Sequence, residues 1–455
     1  MAQINSSLQL DFSPSDFTYY THAEIIYYLN NNWSHPLLSL EPLKKILLDI
    51  DTQSLSIPSI IIAGTNGKTI TNYFLATLFN KENITVASFT SPHFTAYNEQ
   101  ITANNKQISN DTLTKHAITL LNAAAARNHT LHSHELLFGI TLLHAREEKI
   151  DLLLLEQKNL DQIDPVQLLT PRVIGVTRLI PEQIDISQAI DSILTTATPS
   201  TFIISADQNK ANLLDLSIAV KIKKAHWLMP IRKVACLAYP YEQLHGRCAT
   251  LAERIACAYL SHFSSSQNSF TLLQKPKKHR GRPSLALKQQ EELQPYKTMD
   301  QFWAEFTPSI PGRFELLKTK AATVLLDCAD SIDAFKNLLL GIRLLAYKED
   351  ITSITIIIGS SETAFNHEEF IKLIRYFFKK NNGNMFFCPL EAAPHETKKS
   401  WNPEQMCNIA KNIKIKSESF NTFKSAFSQA TKQHDPKHLI VVTGDTQMIT
   451  EYLTL

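Results

Sequence analysis

The chain is predicted to fold as an α/β protein, with a mostly parallel sheet in a large N-terminal unit and a smaller α/β unit following it. Three observations carry that expectation. Short β-branched apolar runs alternate with helical periodicity through the first half of the chain. A glycine–lysine loop joins one such run directly to a helix. A second strand–helix series resumes beyond residue 300, after a charge-rich break.

Taken in order, residues 17–50 read as largely helical, because Ile25, Ile26 and Leu29, then Leu43, Ile46, Leu47 and Ile50, recur at helical spacing. Pro42 suits the first turn of the second helix. The run 57–63 (IPSIIIA) has the β-branched character of a buried parallel strand. Residues 69–80 place Tyr73, Phe74, Leu78 and Phe79 on a helical face. Further strands are expected at 85–90, 151–155, 172–177 and 202–205, and helices at 110–128 and 136–147. Residues 264–300 turn polar and basic (QKPKKHRGRPSLALKQQEE within them) and mark a linker or insertion at the end of a first unit spanning 1–300. In the second unit, 301–455, strands are expected at 323–326, 351–358, 385–388 and 439–443, and helices at 332–347 and 367–379.

Composition narrows the class. A chain of 455 residues, 44% hydrophobic and 19% charged, is too long for one core and has no disordered bias. A net charge of +2 argues against nucleic acid or acidic membrane as a general partner. The segment 275–283 (KPKKHRGRP) contains an AT-hook-like Arg280–Pro283 stretch, but short basic runs of this kind are usually solvated loops. No apolar run is long enough to span a membrane. The N-terminus lacks the basic start and apolar stretch of a secretory signal. Six scattered cysteines without CxxC spacing read as free thiols, so a cytoplasmic protein is expected. Only 11 glycines occur, against the roughly 30 expected of a chain this long, so the few loops that use them carry weight.

The main such loop is Gly64-Thr65-Asn66-Gly67-Lys68-Thr69, set between a strand and a helix. Backbone N–H groups at a helix N-terminus aim at an anion, and the helix dipole favours negative charge there. Gly64 and Gly67 allow close backbone approach, Lys68 would contact the β- and γ-phosphates, and Thr69 would hold Mg²⁺ or a phosphate oxygen. Nucleotide binding is the expectation.

This shortened Gly-Thr-Asn-Gly-Lys loop resembles that of the Mur ligase superfamily. The stretch 90–109, TSPHFTAYNEQITANNKQIS, is similar to the folate branch, the folylpolyglutamate synthase/dihydrofolate synthase family. Residues 311–315, PGRFE, match that family's Pro-Gly-Arg-x-Glu at the entrance to its C-terminal domain. The resemblance implies a Mur-ligase-type central ATP-binding domain and ATP-dependent amide bond formation. A folate or pteroate carboxylate takes the γ-phosphoryl group as an acyl phosphate, and the amino group of L-glutamate displaces phosphate. By motif, Lys68 falls on the phosphates, Ser91 and Glu156 on Mg²⁺, and Arg313 and Asp327 on nucleotide from the second domain. His93 falls with Asn98 and Glu99 in the folate-side segment and is carried over, with Lys68 and Glu156, as catalytic. The implied partners are ATP, Mg²⁺, a folate or dihydropteroate, and L-glutamate, in a monomer.

The chain also departs from the pattern. After Glu156 the family's three glycines and arginine are missing, although Asp164 is kept. Gln183 stands at a metal-holding histidine, and 196–200 (TATPS) stands where a carbamylated lysine is expected. Asp330 and Ser331 replace a histidine and an asparagine after Asp327. One metal site is expected on Ser91 and Glu156, with water in place of the lost histidine; the second has no evident ligand, and Lys158 and Asp185 are candidates for compensation. Two rival readings follow: a catalytically degenerate nucleotide-binding relative, and a Mur-like ligase for another carboxylate, to which Thr69 after Lys68 points.

Overall fold

The computed structural model describes residues 17–33, 37–181, 184–229, 233–238, 244–263, 299–319, 322–362, 364–365, 367–391, 399–432, 435 and 437–455. The expected insertion at 264–300, its basic 275–283 segment and the departure at Gln183 lie outside them, apart from residues 299–300.

Two sheets organise the chain. The first holds β1 (Ser59–Ala63), β2 (Val86–Phe89), β3 (Ile101–Ala103), β4 (Lys106–Gln107), β5 (Leu152–Glu156), β6 (Val173–Val176), β7 (Phe202–Ser205) and β8 (His226–Leu228). Their spatial order is β4-β3-β2-β5-β1-β6-β7-β8. The six strands from β2 to β8 in that order run parallel, and β3 and β4 form an antiparallel extension beyond β2. Around this sheet lie α1 (His22–Asn31), α2 (Glu41–Ile50), α3 (Lys68–Lys81), α4 (Asn110–Ala125), α5 (Ser133–Glu147), α6 (Ile186–Ile193), α7 (Lys210–Ile222) and α8 (Leu244–Phe263).

The side-chain alternation of β1 explains why its residues 60–63 are all apolar. Ile60 and Ile62 enter the core under α3 and α8, whereas Ile61 and Ala63 enter the core under α4 and α5. A central parallel strand covered on both faces has no solvent side to carry polar residues.

The second sheet holds β9 (Arg313–Lys318), β10 (Thr323–Asp327), β11 (Ser353–Gly359), β12 (Gly383–Phe387), β13 (Ser417–Ser419) and β14 (His438–Gly444), in the order β13-β12-β11-β14-β10-β9. All pairs are parallel except the antiparallel β9 edge. Its helices are α9 (Met299–Glu305), which leads in, then α10 (Ile332–Glu349), α11 (His367–Phe378), α12 (Pro403–Asn412), α13 (Phe423–Ala430) and α14 (Thr446–Leu453).

The α/β class expected from the sequence is the one observed, and the predicted strands in both units recur within a residue or two. Four edge elements differ from expectation. The stretch 91–109, expected as a loop, contains the β3–β4 hairpin, and β8 extends the sheet past residue 205. The β9 and β13 edges were also not anticipated. Edge strands such as β13 (Ser-Glu-Ser) and β8 are short and partly exposed, so they lack the apolar run that makes a central strand legible.

The two sheets share one apolar core. Trp303 of α9 is fully buried and meets Phe74 of α3 edge-on at 5.3 Å. The same cluster continues to Leu325 of β10 and to Ile356 and Ile358 of β11. Side chains of this kind each contribute about 1.5–3 kcal/mol on burial, so the sheets are held by packing as well as by the chain.

Candidate functional site

The carboxyl ends of β2, β5, β1 and β6 converge on one edge of the first sheet. β1 is followed through α3 by β2 on one side, whereas β5 is followed by β6 on the other side of β1. Loops that leave a parallel sheet in opposite directions open a crevice at that point, the usual ligand position in such sheets. β1 delivers the Gly64–Lys68 loop, β5 ends on Glu156, and β2 leads to Ser91.

The loop's two glycines are required by its shape. Gly64 and Gly67 have φ of +133° and +90°, a region that side chains disfavour. A Cβ on Gly64 would stand 2.1 Å from Thr177 Oγ1, and one on Gly67 would stand 2.8 Å from Cys248 Sγ. Gly67 then caps α3 with no side-chain bond to its first N–H groups, which leaves those donors for an anion. Lys68 Nζ donates to Gly64 O at 2.7 Å, folding the ammonium over its own loop. Burial lowers the Lys68 pKa, opposed by the nearby charges of Glu156 and Asp330.

Glu156 lies directly beneath. It is 1% exposed, with Oε2 3.3 Å from Thr69 Oγ1 and 3.4 Å from the Ser91 N–H. Its Oε1 is buried with no hydrogen-bond partner. Burial pushes its pKa up to about 7, against the pull of Lys68. A buried carboxylate with an open lone pair, flanked by two hydroxyl-bearing residues, is an all-oxygen donor set of the kind Mg²⁺ or Mn²⁺ takes.

The second unit closes the crevice. Arg313, Asp327, Cys328 and Asp330 line one cavity with Thr65–Thr69, Ser91 and His245. Asp327 accepts the Phe314 N–H at 2.8 Å. Burial pushes Asp327 up to about 7, with Arg313 opposing. Arg313 lies over the Phe94 ring at 5.6 Å. The units are also clasped directly. Asn66 Nδ2 donates to Asp333 Oδ2 at 3.0 Å, Arg178 Nη1 lies 3.0 Å from Asp333 Oδ1, and Thr450 Oγ1 donates to the Phe94 carbonyl at 2.7 Å.

Of the residues singled out in the sequence, Thr65, Asn66, Gly67, Lys68, Thr69, Ser91, Arg313 and Asp327 therefore meet in one cavity, with Gly64 and Glu156 immediately behind them. His93 does not. It is outside the cavity lining, its Nδ1 is 2.7 Å from Gln100 Nε2, and its ring packs 4.2 Å from that of Tyr97. Asn98 and Glu99 are likewise spent on the loop itself. Asn98 donates to the Ile108 carbonyl, and Glu99 accepts the N–H groups of Phe94, Thr95 and Ala96. Lys158 lies 4.2 Å over the Trp33 ring, and Asp185 caps α6, so neither reaches the cavity.

Sequence reasoning missed His245, Asn337 and Asp333. His245 lines the cavity at the start of α8. Burial holds it neutral, down to about 3, with Arg313 adding to the effect. Nothing local in 244–263 distinguishes it from other helical histidines. Asp333 follows the capping Ser331 of α10, and its partners Asn66 and Arg178 are far away in sequence.

The fold and cavity define a two-unit α/β scaffold with a glycine–lysine phosphate-type loop at its parallel-sheet edge. That architecture is the one found in solved folylpolyglutamate and dihydrofolate synthases. The chain is similar to Mycobacterium tuberculosis folylpolyglutamate synthase complexed with ADP (TM-score 0.72, 15% identity), covering 95% of this chain and 97% of that one. It is similar to the bifunctional folylpolyglutamate synthase/dihydrofolate synthase of Yersinia pestis (TM-score 0.70, 14% identity), covering 96% and 98%. It is also similar to E. coli FolC in complex with DHPP and ADP (TM-score 0.70, 15% identity), covering 96% and 97%. No protein-family model and no curated protein matches the chain. Among the described residues, no helix is long and apolar enough to cross a membrane.

Proposed function

We propose that the protein is an ATP-dependent acid–amino-acid ligase of the folylpolyglutamate synthase type, joining L-glutamate to a folate or pteroate carboxylate. One observation carries the reading. Lys68 and Thr69 stand on one wall of a cavity whose other wall supplies Arg313 and Asp327, and the buried, partly unsatisfied Glu156 lies directly behind Thr69. The solved neighbours add support, since they include complexes with ADP and one with Mn, AMPPNP and L-glutamate.

On this reading the α3 N-terminus and Lys68 hold the phosphates, and Arg313 faces the nucleotide from the second unit. Glu156, Thr69 and Ser91 would hold one Mg²⁺, which when bound neutralises charge on the transferring phosphoryl group. Asp333, through Asn66 and Arg178, keeps the two walls in register, so that the carboxylate and amine substrates meet within the closed cavity.

A second reading, a nucleotide-binding relative without ligase turnover, has a specific observation behind it. Residues 196–200 offer no lysine or carboxylate, and Thr198, Ser200 and Thr201 bond among themselves. Among the described residues, no His/Cys/Asp/Glu group of metal-binding proximity lies in the cavity.

Incubation with MgATP, a reduced folate or dihydropteroate, and glutamate, followed by mass spectrometry, separates the two. A glutamylated product that falls by ~10²–10³ or more in Lys68→Ala is the expected result. Tight ATP binding with no product would overturn the ligase reading and leave the nucleotide-binding one.

A further inference from the structure

Away from the cavity, helices α4 and α5 bring together His116, His144 and Glu147. One nitrogen of each imidazole and one carboxylate oxygen all lie within 4.8 Å of one another. His144 and Glu147 stand three apart on α5 and so share a face, and His116 meets them from α4. Both histidines are more than nine-tenths buried, at 6% and 7% exposure. His144 Nδ1 is buried with no hydrogen-bond partner. His116 Nε2 is 2.9 Å from Glu147 Oε2 but lacks the alignment of a hydrogen bond. A buried imidazole nitrogen without a partner, beside a second buried imidazole and a carboxylate on rigid helices, is costly unless something fills the space between them.

We propose that His116, His144 and Glu147 form a binding site for a borderline divalent transition metal such as Zn²⁺, bridging α4 and α5. Two imidazole nitrogens and one carboxylate oxygen match a three-ligand zinc site with an open fourth position. Mg²⁺ and Ca²⁺, which take oxygen ligands, are disfavoured by the same donor set. Glu147, whose side chain is 43% exposed, provides the solvent side through which the ion enters and the open position lies. Lys115 Nζ, 2.6 Å from Glu147 Oε1, stays on the second carboxylate oxygen and orients it, leaving Oε2 for the metal. None of these residues lines the nucleotide cavity, so the site is separate from the proposed ligase chemistry.

Co²⁺ titration of the full-length protein, in excess Mg²⁺ to occupy the oxygen-rich cavity, tests the proposal. The expected result is one equivalent bound with visible d–d bands and no thiolate charge-transfer band, which sets it apart from binding at the free cysteines. Glu147→Gln should weaken Co²⁺ at least ~10-fold and, being on the surface, should leave the circular dichroism unchanged. His116→Gln/His144→Gln should abolish the bands. Absence of bands in the unmodified protein overturns the site, as does unchanged Co²⁺ affinity in Glu147→Gln. Either result leaves the cluster as an interhelical Lys–Glu–His network. If the double variant fails to fold, the Glu147→Gln comparison alone decides.

Discussion

Glu156 and Asp164 are both buried acids at the same sheet edge, and their surroundings push them in opposite directions. Asp164 accepts the N–H groups of Lys158, Asn159 and Val166, and His134 lies 3.5 Å away. Burial alone would raise its pKa, but His134 and the backbone donors outweigh it and hold the carboxyl low. Glu156 has a single backbone N–H at 3.4 Å, a hydroxyl at 3.3 Å and one oxygen with no partner, and burial wins. A carboxylate whose lone pairs are all used holds a loop together; one with a lone pair to spare has capacity for a cation. Both acids are buried, yet only Glu156 keeps an oxygen available to a ligand.

The sharpest way to break that contrast is Asp164→Ala. It leaves three backbone N–H groups, one buried and two partly buried, without their acceptor, and bonds to a charged group are worth ~1.5–3 kcal/mol each. A loss of about 3 kcal/mol or more is expected in urea unfolding; a loss below ~1 kcal/mol would mean the loop finds other acceptors. Glu156→Gln should instead leave unfolding free energy at pH 8 unchanged or slightly higher, because it removes a poorly solvated charge. The same change should weaken Mn²⁺ binding by ~10-fold or more. Lost stability with retained Mn²⁺ affinity would reverse the assignment of the two acids.

The pH dependence sharpens the same point. The folded Glu156 pKa, about 7, lies above its ordinary 4.5. In the absence of cations its contribution to stability is therefore full below about pH 4.5 and is lost as pH rises through about 7. Glu156→Gln should flatten that part of the Tm–pH curve. Cation affinity runs the other way, because binding must displace the proton, and should rise by up to ~10-fold per pH unit until about pH 7. Titrations followed by calorimetry at pH 5.5, 6.5 and 7.5 would expose a flat profile, which this account does not allow.

The smallest effect is expected at the clasp between units. Arg178, 42% exposed, and Asp333 form a partly solvated pair, so Asp333→Ala should cost only ~0.5–1 kcal/mol in stability. Its consequence should appear instead as nucleotide affinity weakened a few-fold. An unchanged affinity would show that the shared apolar core alone sets the two walls.

Much of this was legible in the residues. The strand at 59–63, the two glycines and Lys68 announce an anion-binding loop because each obeys a local rule: β-branched burial, positive φ, a helix N-terminus. The Pro-Gly-Arg turn and the Asp327 strand end were likewise readable, as was the α/β class. The motif context of His93 says nothing about which way its ring turns, which Gln100 and Tyr97 set in three dimensions.

The sequence by itself determined the order of elements, the phosphate-type loop and the identity of the acids. Only the tertiary structure decided which acid keeps an open lone pair. It also decided that His245 joins the cavity, that Asp333 clasps Asn66 and Arg178, and that His116 meets His144 across two helices. Local rules depend on a residue and its near neighbours, whereas hydrogen-bond satisfaction and desolvation depend on groups brought close by folding from distant parts of the chain.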